Sequence, residues 1–184
     1  MSRIIVLNGS PRKNGVDSNI ASMISEEFLK EGHDVEVVNI CDLDIGGCKG
    51  CMSCRKTGVC VQDDDMNQMI ERIRKKDMLI LMAPIYFAAE NGQTKTFIDR
   101  FTSAFTEKRP LGDVRVSSVL LTCSDPNGST VFAASLKRIY DVMGYLKIEN
   151  HDDGHILGGL SPDNVRDSPA VREYLEGLKS LLRD

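Results

Sequence analysis

What most constrains this chain is its first twenty residues. An apolar run, Ile4-Ile5-Val6-Leu7, stops at Gly9-Ser10-Pro11 and gives way to a helix-forming stretch. The run is short and rich in β-branched side chains, which suits a strand buried on both faces of a parallel sheet. Glycine and proline then end regular structure. A helix is expected to restart at Asp17 or Ser18, both N-cap residues, with Ile20, Met23, Ile24 and Phe28 on one face. Strand, polar glycine-containing loop and helix N-terminus together form an anion site, because loop and first-turn N–H groups converge and the helix dipole adds to them.

Two familiar phosphate loops do not fit. Gly15 is followed by Val16-Asp17, where a P-loop requires Lys and Ser or Thr, and Gly9 lacks the partners of a dinucleotide fingerprint. What remains is a loop of hydroxyl, amide and guanidinium groups. Ser10, Arg12, Asn14, Ser18 and Asn19 can ring a terminal phosphate monoester. The alternative is a polar βα loop that binds nothing.

Further along, strand and helix alternate. Strands are expected at Val35–Ile40, Met78–Ala83 (ended by Pro84), Val114–Thr122 and Tyr145–Glu149. Helices are expected behind the caps Asp63 to Asp65, with Met66, Met69, Ile70 and Ile73 inward, then over Lys95–Phe105, with Phe97, Ile98, Phe101 and Phe105 along one side. Two more are expected over Val131–Met143 and Val171–Leu182. Five such units predict an α/β fold, a parallel sheet with helices on both faces. At 184 residues, with no repeat or linker, the chain reads as a single domain. Ligands in such sheets bind outside the carboxyl ends of the strands.

Two later loops meet that edge. Ala83-Pro84-Ile85-Tyr86-Phe87 places a rigid proline and two aromatics where a flat heterocycle could lie, or where the rings merely pack under the next helix. Thr122-Cys123-Ser124-Asp125-Pro126-Asn127-Gly128 is rich in turn formers and could close over a ligand.

The connection from Cys41 to Gln62 is unusually long, and long connections in compact domains tend to be functional. It holds Cys48, Cys51, Cys54 and Cys60, spaced Cys-x2-Cys-x2-Cys-x5-Cys. Four closely spaced thiolates can wrap a cubane [4Fe–4S] cluster, with Gly50 and Gly58 letting the backbone turn around it. Zinc, a metal-free loop and a disulfide loop are the alternatives. Elsewhere, His151 to His155 reads as a polar turn, His33 as a surface histidine behind Gly32, and Cys41 and Cys123 as half-buried strand-end thiols.

The net charge is −4 with no basic cluster, which argues against nucleic acid or an acidic membrane as partner. No apolar run approaches spanning length and the first strand begins too early for a signal peptide, so a cytoplasmic protein is expected.

Gly9 to Gly15 with Ser18-Asn19, and Pro84-Ile85-Tyr86-Phe87 with Lys95 to Arg100, resemble the phosphate and flavin loops of the NADPH-dependent FMN reductase family. The cysteine segment running into Asp64-Asp65-Met66 resembles that family's iron–sulfur flavoprotein branch. The resemblance covers about residues 3 to 150. It implies a flavodoxin-like three-layer sandwich with a five-stranded sheet in the order 2-1-3-4-5, and FMN as cofactor. Ser10, Pro11, Arg12, Asn14, Ser18 and Asn19 would then hold the phosphate, and Pro84, Ile85, Tyr86 and Phe87 the ring. Thr122, Cys123, Ser124 and Gly128 would close the site, and Cys48, Cys51, Cys54 and Cys60 would ligate iron. The implied activity is electron transfer from ferredoxin or transiently bound NAD(P)H to a small acceptor, in a homodimer or homotetramer. The rival is a cluster-free NAD(P)H-dependent FMN or quinone reductase.

Overall fold

A computed structural model describes residues 1–105, 110–148, 150–152 and 154–182. Its strands are β1 (Arg3–Asn8), β2 (Asp34–Asn39), β3 (Met78–Tyr86), β4 (Ala89–Glu90), β5 (Val116–Thr122), β6 (Asn150–His151) and β7 (His155–Leu157). Its helices are α1 (Val16–Lys30), α2 (Cys54–Thr57), α3 (Met66–Ile73), α4 (Gly92–Arg100), α5 (Gly128–Val131), α6 (Ala133–Tyr145) and α7 (Pro169–Leu181).

Side chains on a strand point alternately to its two faces, and β1 uses both. Ile5 and Leu7, with Leu79, Leu81, Val119 and Leu121, pack against α3, α4 and α6 through Met66, Ile70, Phe97, Phe101, Ile139 and Met143. Ile4 and Val6, with Met78, Ile80, Met82 and Leu120, pack against α1 and α7 through Ile20, Ile24, Phe28, Val171, Tyr174 and Leu178. This is the expected three-layer sandwich. The parallel order is β2-β1-β3-β5, and β6 and β7 share the fifth place beside β5. Counted by place, that is 2-1-3-4-5. β4 folds back antiparallel on the end of β3.

Several boundaries correct the sequence-based expectations. α1 begins at Val16 behind an extended Gly15, because Asp17 turns its carboxylate inward instead of capping its own helix. Pro84 does not end β3. Its fixed φ suits extended backbone, its position pairs with Thr122, and its carbonyl still accepts the Asn91 N–H at 3.2 Å. α4 starts three residues early at Gly92 and tightens into a 3₁₀ turn over Phe101–Ser103, which turns Phe105 outward to 53% exposure. β5 begins at Val116, two residues late. The strand expected over Tyr145–Glu149 is absent as drawn. Ile139, Met143 and Leu146 continue the helical spacing, so α6 runs through Tyr145, and Lys147 at φ 57° then turns the chain towards β6. Glu149 lies outside the described residues.

One glycine position is set by a close approach. A Cβ on Gly9 would lie 1.9 Å from Thr94 Oγ1 and 3.0 Å from the Met82 carbonyl. Gly9→Ala is therefore expected to destabilise the chain by about 1–3 kcal/mol. Adding Thr94→Ala should recover part of the loss, as read by urea unfolding followed by circular dichroism.

Candidate functional site

The carboxyl ends of β1, β3 and β5 open onto a cleft of about 250 Å³. The loop after β1 forms one wall and is held by its own polar groups. Asn8 Oδ1 accepts the Ser10 N–H at 3.0 Å, and Ser10 Oγ accepts the Arg12 N–H at 3.3 Å. Ser18 Oγ donates to the Arg12 carbonyl at 2.9 Å, and Asn19 Nδ2 donates to the Gly15 carbonyl at 3.0 Å. Ser10 is buried and Arg12 exposed. The Arg12 guanidinium lines the cleft with no side-chain partner among the described residues. The N-terminus of α1 begins beside it, at Val16. An unpaired cation and first-turn N–H groups at one end of a cleft form an anion site.

Pro84, Ile85 and Tyr86 form the second wall. Beyond them the chain reverses at Phe87 and Ala88, whose φ angles are 49° and 71°. Phe87 is fully exposed at the tip. The return strand is tied to α6, where Ser135 Oγ donates to the Ala88 carbonyl at 2.6 Å and Arg138 pairs with the buried Glu90. Thr122, Cys123 and Ser124 form the third wall, with Leu160 opposite. Gly128 sits under this turn, where a Cβ would come within 2.2 Å of Cys123 Sγ.

The cleft thus gathers Ser10, Arg12, Pro84, Ile85, Tyr86, Thr122, Cys123 and Ser124. Pro11, Asn14, Ser18, Asn19, Phe87 and Gly128 stand outside its lining, and Ser18 and Asn19 brace the loop from behind. Sequence reasoning missed Asp17, Gly15, Val16 and Leu160 as lining residues. Asp17 is the notable one. It is almost wholly buried, and Thr122 Oγ1 donates to both its carboxylate oxygens at 3.0 and 3.1 Å. Burial pushes its pKa up to about 6, against the partial offset of the Thr122 bond. Its place in the first helical turn gave no sign of this, since an acid there ordinarily reads as a surface dipole partner.

The cysteine segment lies apart from these walls. Cys48 and Cys51 are exposed, Cys54 and Cys60 half-buried, and all four are free thiols. Hydrogen bonds from Ser53 hold the Cys51 thiol below its usual range. Gly50, Met52 and Gly58 turn the backbone at φ 63°, 63° and 72°. Among the described residues, no three ligand-type side chains stand close enough together to hold a metal ion. The two ends of the segment are sewn together. Asp44 and Asp65 exchange hydrogen bonds at 2.8 and 3.0 Å, and the Gly46 N–H donates to Asp64 at 3.2 Å. Asp64 in turn forms a buried pair with Arg100 of α4 and stays ionised well below the ordinary range because of it. The expected helix cap at Asp63 to Asp65 is reduced to one Asp64 bond to the Met66 N–H, at 3.2 Å. Cys41 and Cys123 are half-buried as expected, and burial raises both thiol pKa values.

Residues 2–151 match the model of the family described as NADPH-dependent FMN reductase. The chain belongs to that family. As a member it is an FMN-dependent oxidoreductase, and the relatives it matches place it in the iron–sulfur flavoprotein branch. An iron–sulfur flavoprotein of Archaeoglobus fulgidus is 33% identical over 138 residues, 75% of this chain and 67% of that one. One from Methanocaldococcus jannaschii is 27% identical over 184 residues, covering 97% and 91%. With several other iron–sulfur flavoproteins the match spans only about half their length, 51% or less. Among solved structures, an NAD(P)H:quinone oxidoreductase from Methanothermobacter marburgensis superposes with a TM-score of 0.77 at 18% identity, covering 97% of each chain. At that identity the likeness shows the fold. Among the described residues, no helix of this FMN reductase family member is long and apolar enough to cross a membrane.

Asp17 sets a pH dependence. Its folded pKa, about 6, lies above the ordinary 3.8, so the folded state holds the proton longer than the unfolded state does. The stability Asp17 contributes is then greatest below its unfolded pKa and is lost as pH rises through about 4 to 6. Asp17→Asn should leave the melting temperature near pH 4 unchanged and raise it at about pH 7.5, by up to ~3 kcal/mol in unfolding free energy. Thermal melts of both proteins across that range measure the difference.

Proposed function

We propose that the cleft at the carboxyl edge holds FMN and that the cysteine segment holds a [4Fe–4S] cluster, so that the protein passes electrons between two-electron and one-electron partners. The observation that carries the FMN assignment is the unpaired Arg12 guanidinium beside the α1 N-terminus, with the flat Pro84–Tyr86 wall at the other side of the same cleft. The residues fit the cofactor. A phosphate monoester offers Arg12 the acceptor it lacks, Ser10 Oγ is within the lining, and the proline-stiffened wall offers a surface for a ring. FMN supplies the redox chemistry, and the protein's part is to bind and orient it and to keep water off one side.

For the cluster, the donor set is right in kind: Cys48, Cys51, Cys54 and Cys60 are free thiols in one connection tethered at both ends. The names of the relatives support it. The donor would be reduced ferredoxin or NAD(P)H, the acceptor a small molecule, and the assembly a homodimer or homotetramer. The cluster-free reading, an NAD(P)H-dependent FMN or quinone reductase, draws on the fact that the four thiols are not gathered into a ligand set.

An anaerobic absorption spectrum, with iron and acid-labile sulfide counted per FMN, separates the two. Flavin bands on a broad iron–sulfur absorption with about four irons per chain are expected. Clean flavin bands without iron would leave the plain reductase, and a colourless protein that takes up no added FMN would overturn the FMN site itself. In the same preparation, Arg12→Ala should weaken FMN binding ~10–100-fold, the scale of one charge-assisted hydrogen bond, while riboflavin binding stays unchanged. Fluorescence quenching of each flavin on titration with protein gives both constants.

A further inference from the structure

One acid lines a cleft built for an anion. Asp17 sits in the first turn of α1, where helix N–H groups and the Arg12 guanidinium favour negative charge, yet the residue is itself acidic, 3% exposed and part of the same lining. Among the described residues no Lys, Arg or His pairs with it, although Arg12 lines the same cleft. Its side-chain partner is the Thr122 hydroxyl, at 3.0 and 3.1 Å from the two carboxylate oxygens. A hydroxyl has a single proton to share between them. A buried acid met by one neutral donor costs stability once it ionises. An asparagine would keep a partner for Thr122 without that cost. Tethering α1 to β5 therefore explains a polar side chain at position 17, but not an acid. A buried, uncompensated acid in a cleft points to a role in what the cleft binds.

Few other charges face it. The loop after β1 brings Arg12, the end of β3 brings Tyr86, and the turn after β5 brings Cys123, whose thiol pKa burial pushes up. Lys13 turns away to Asp42 at 3.6 Å, and Asp125 accepts the Asn127 N–H of its own turn at 2.8 Å. α7 and the turn before it meet α1 only at Glu26 and Glu27, through Arg166 and Lys179, roughly two and a half turns along. We infer that Asp17 is the specificity-determining residue at the phosphate end of the cleft: binding of a phosphate monoester draws a proton from solvent onto its carboxylate, so that affinity for FMN, but not for riboflavin, depends on that proton. This rests on the FMN reading above. One O–H bond forms on Asp17 and nothing else is made or broken. A dianionic phosphate repels an ionised carboxylate in the same dry lining, so the bound state holds the proton to higher pH than the free protein does. The Asp17 contribution to affinity is then greatest where the acid is already protonated, and is lost as pH rises beyond about 6.

Calorimetric titration of the FMN-free protein with FMN and with riboflavin, in buffers of different ionisation enthalpy, counts the protons taken up. Near pH 7, wild type should take up more protons with FMN than Asp17→Asn does, by up to about one, and the two proteins should not differ with riboflavin. FMN affinity of Asp17→Asn should match wild type at about pH 5 and exceed it ~10-fold or more at about pH 8, each unit of coupling being tenfold. The second ionisation of the phosphate, near pH 6, enters both proteins alike and cancels. Equal proton counts and parallel pH profiles overturn the inference and leave the FMN cleft standing. Equal weakening of both flavins by Asp17→Asn, without a proton difference, assigns the acid to a hydroxyl and overturns it too. A second readout needs no variant: the ¹³C titration midpoint of the Asp17 carboxyl should rise on saturation with FMN and stay put with riboflavin. A midpoint that FMN leaves unmoved overturns the inference whatever Asp17→Asn does. A wild type that binds neither flavin overturns the FMN cleft, and the role of Asp17 with it.

Discussion

The backbone of one residue, Gly9, ties the site together. The Gly9 N–H donates to the Met82 carbonyl at 2.8 Å, fastening the end of β1 to the end of β3. The Gly9 carbonyl accepts from Asn91 Nδ2 at 2.7 Å, at the start of α4, and from Cys41 Sγ at 3.3 Å, at the entrance to the cysteine segment. Three parts of the chain far apart in sequence therefore take their positions from the N–H and carbonyl of a single residue. Only glycine lets Thr94 come close enough to complete this arrangement, with its hydroxyl donating to Asn91 Oδ1 at 2.7 Å. Asn91 thus gives up its usual capping of α4 and serves as a strut between loops.

From this junction the two functional regions diverge along α4. Its N-terminal turn is held against the cleft by Asn91 and Thr94, and its last residue, Arg100, holds the base of the cysteine segment. The helix is nine residues long, a rise of roughly 14 Å. A rigid element of that length fixes the separation between the cleft and the base of the cysteine segment. Phe97 and Phe101, packed edge to face at 5.3 Å within the core, keep the helix from rolling.

Much of this was legible in the sequence because burial writes itself as periodicity. The runs Ile4–Leu7 and Met78–Ala83 and the spacing of Met66, Met69, Ile70 and Ile73 marked the sheet and one of its covers correctly. What escaped was decided by tertiary contact. Asp17 looked like a cap and is instead a buried acid, because Thr122 of β5, 105 residues away, reaches it first. Pro84 looked like a terminator, yet an edge-like position with no N–H to give suits it. The fifth strand was misplaced because Leu146 and Ile148 are buried as a strand's residues would be, but beneath the end of a helix. Arg100 belonged to a stretch that carried the family resemblance, but nothing in it signalled burial, since an arginine ending an amphipathic helix ordinarily points to water.

The divided fifth position has a consequence for how the molecule behaves among its own copies. β6 and β7 offer two and three residues to the outside, and between them Asp152 turns the chain, accepting the Gly154 N–H at 3.0 Å and pairing with His155 at 3.2 Å. A flat, unbroken border strand is a ready template for edge-to-edge aggregation. Here that border is interrupted by a charged turn, and the opposite border, β2, carries exposed Asp34 and Asn39. A sheet of five parallel rows, the inner three buried, thus ends on both sides in strands poorly suited to recruiting another chain, which keeps a slow-forming parallel topology from polymerising while it folds.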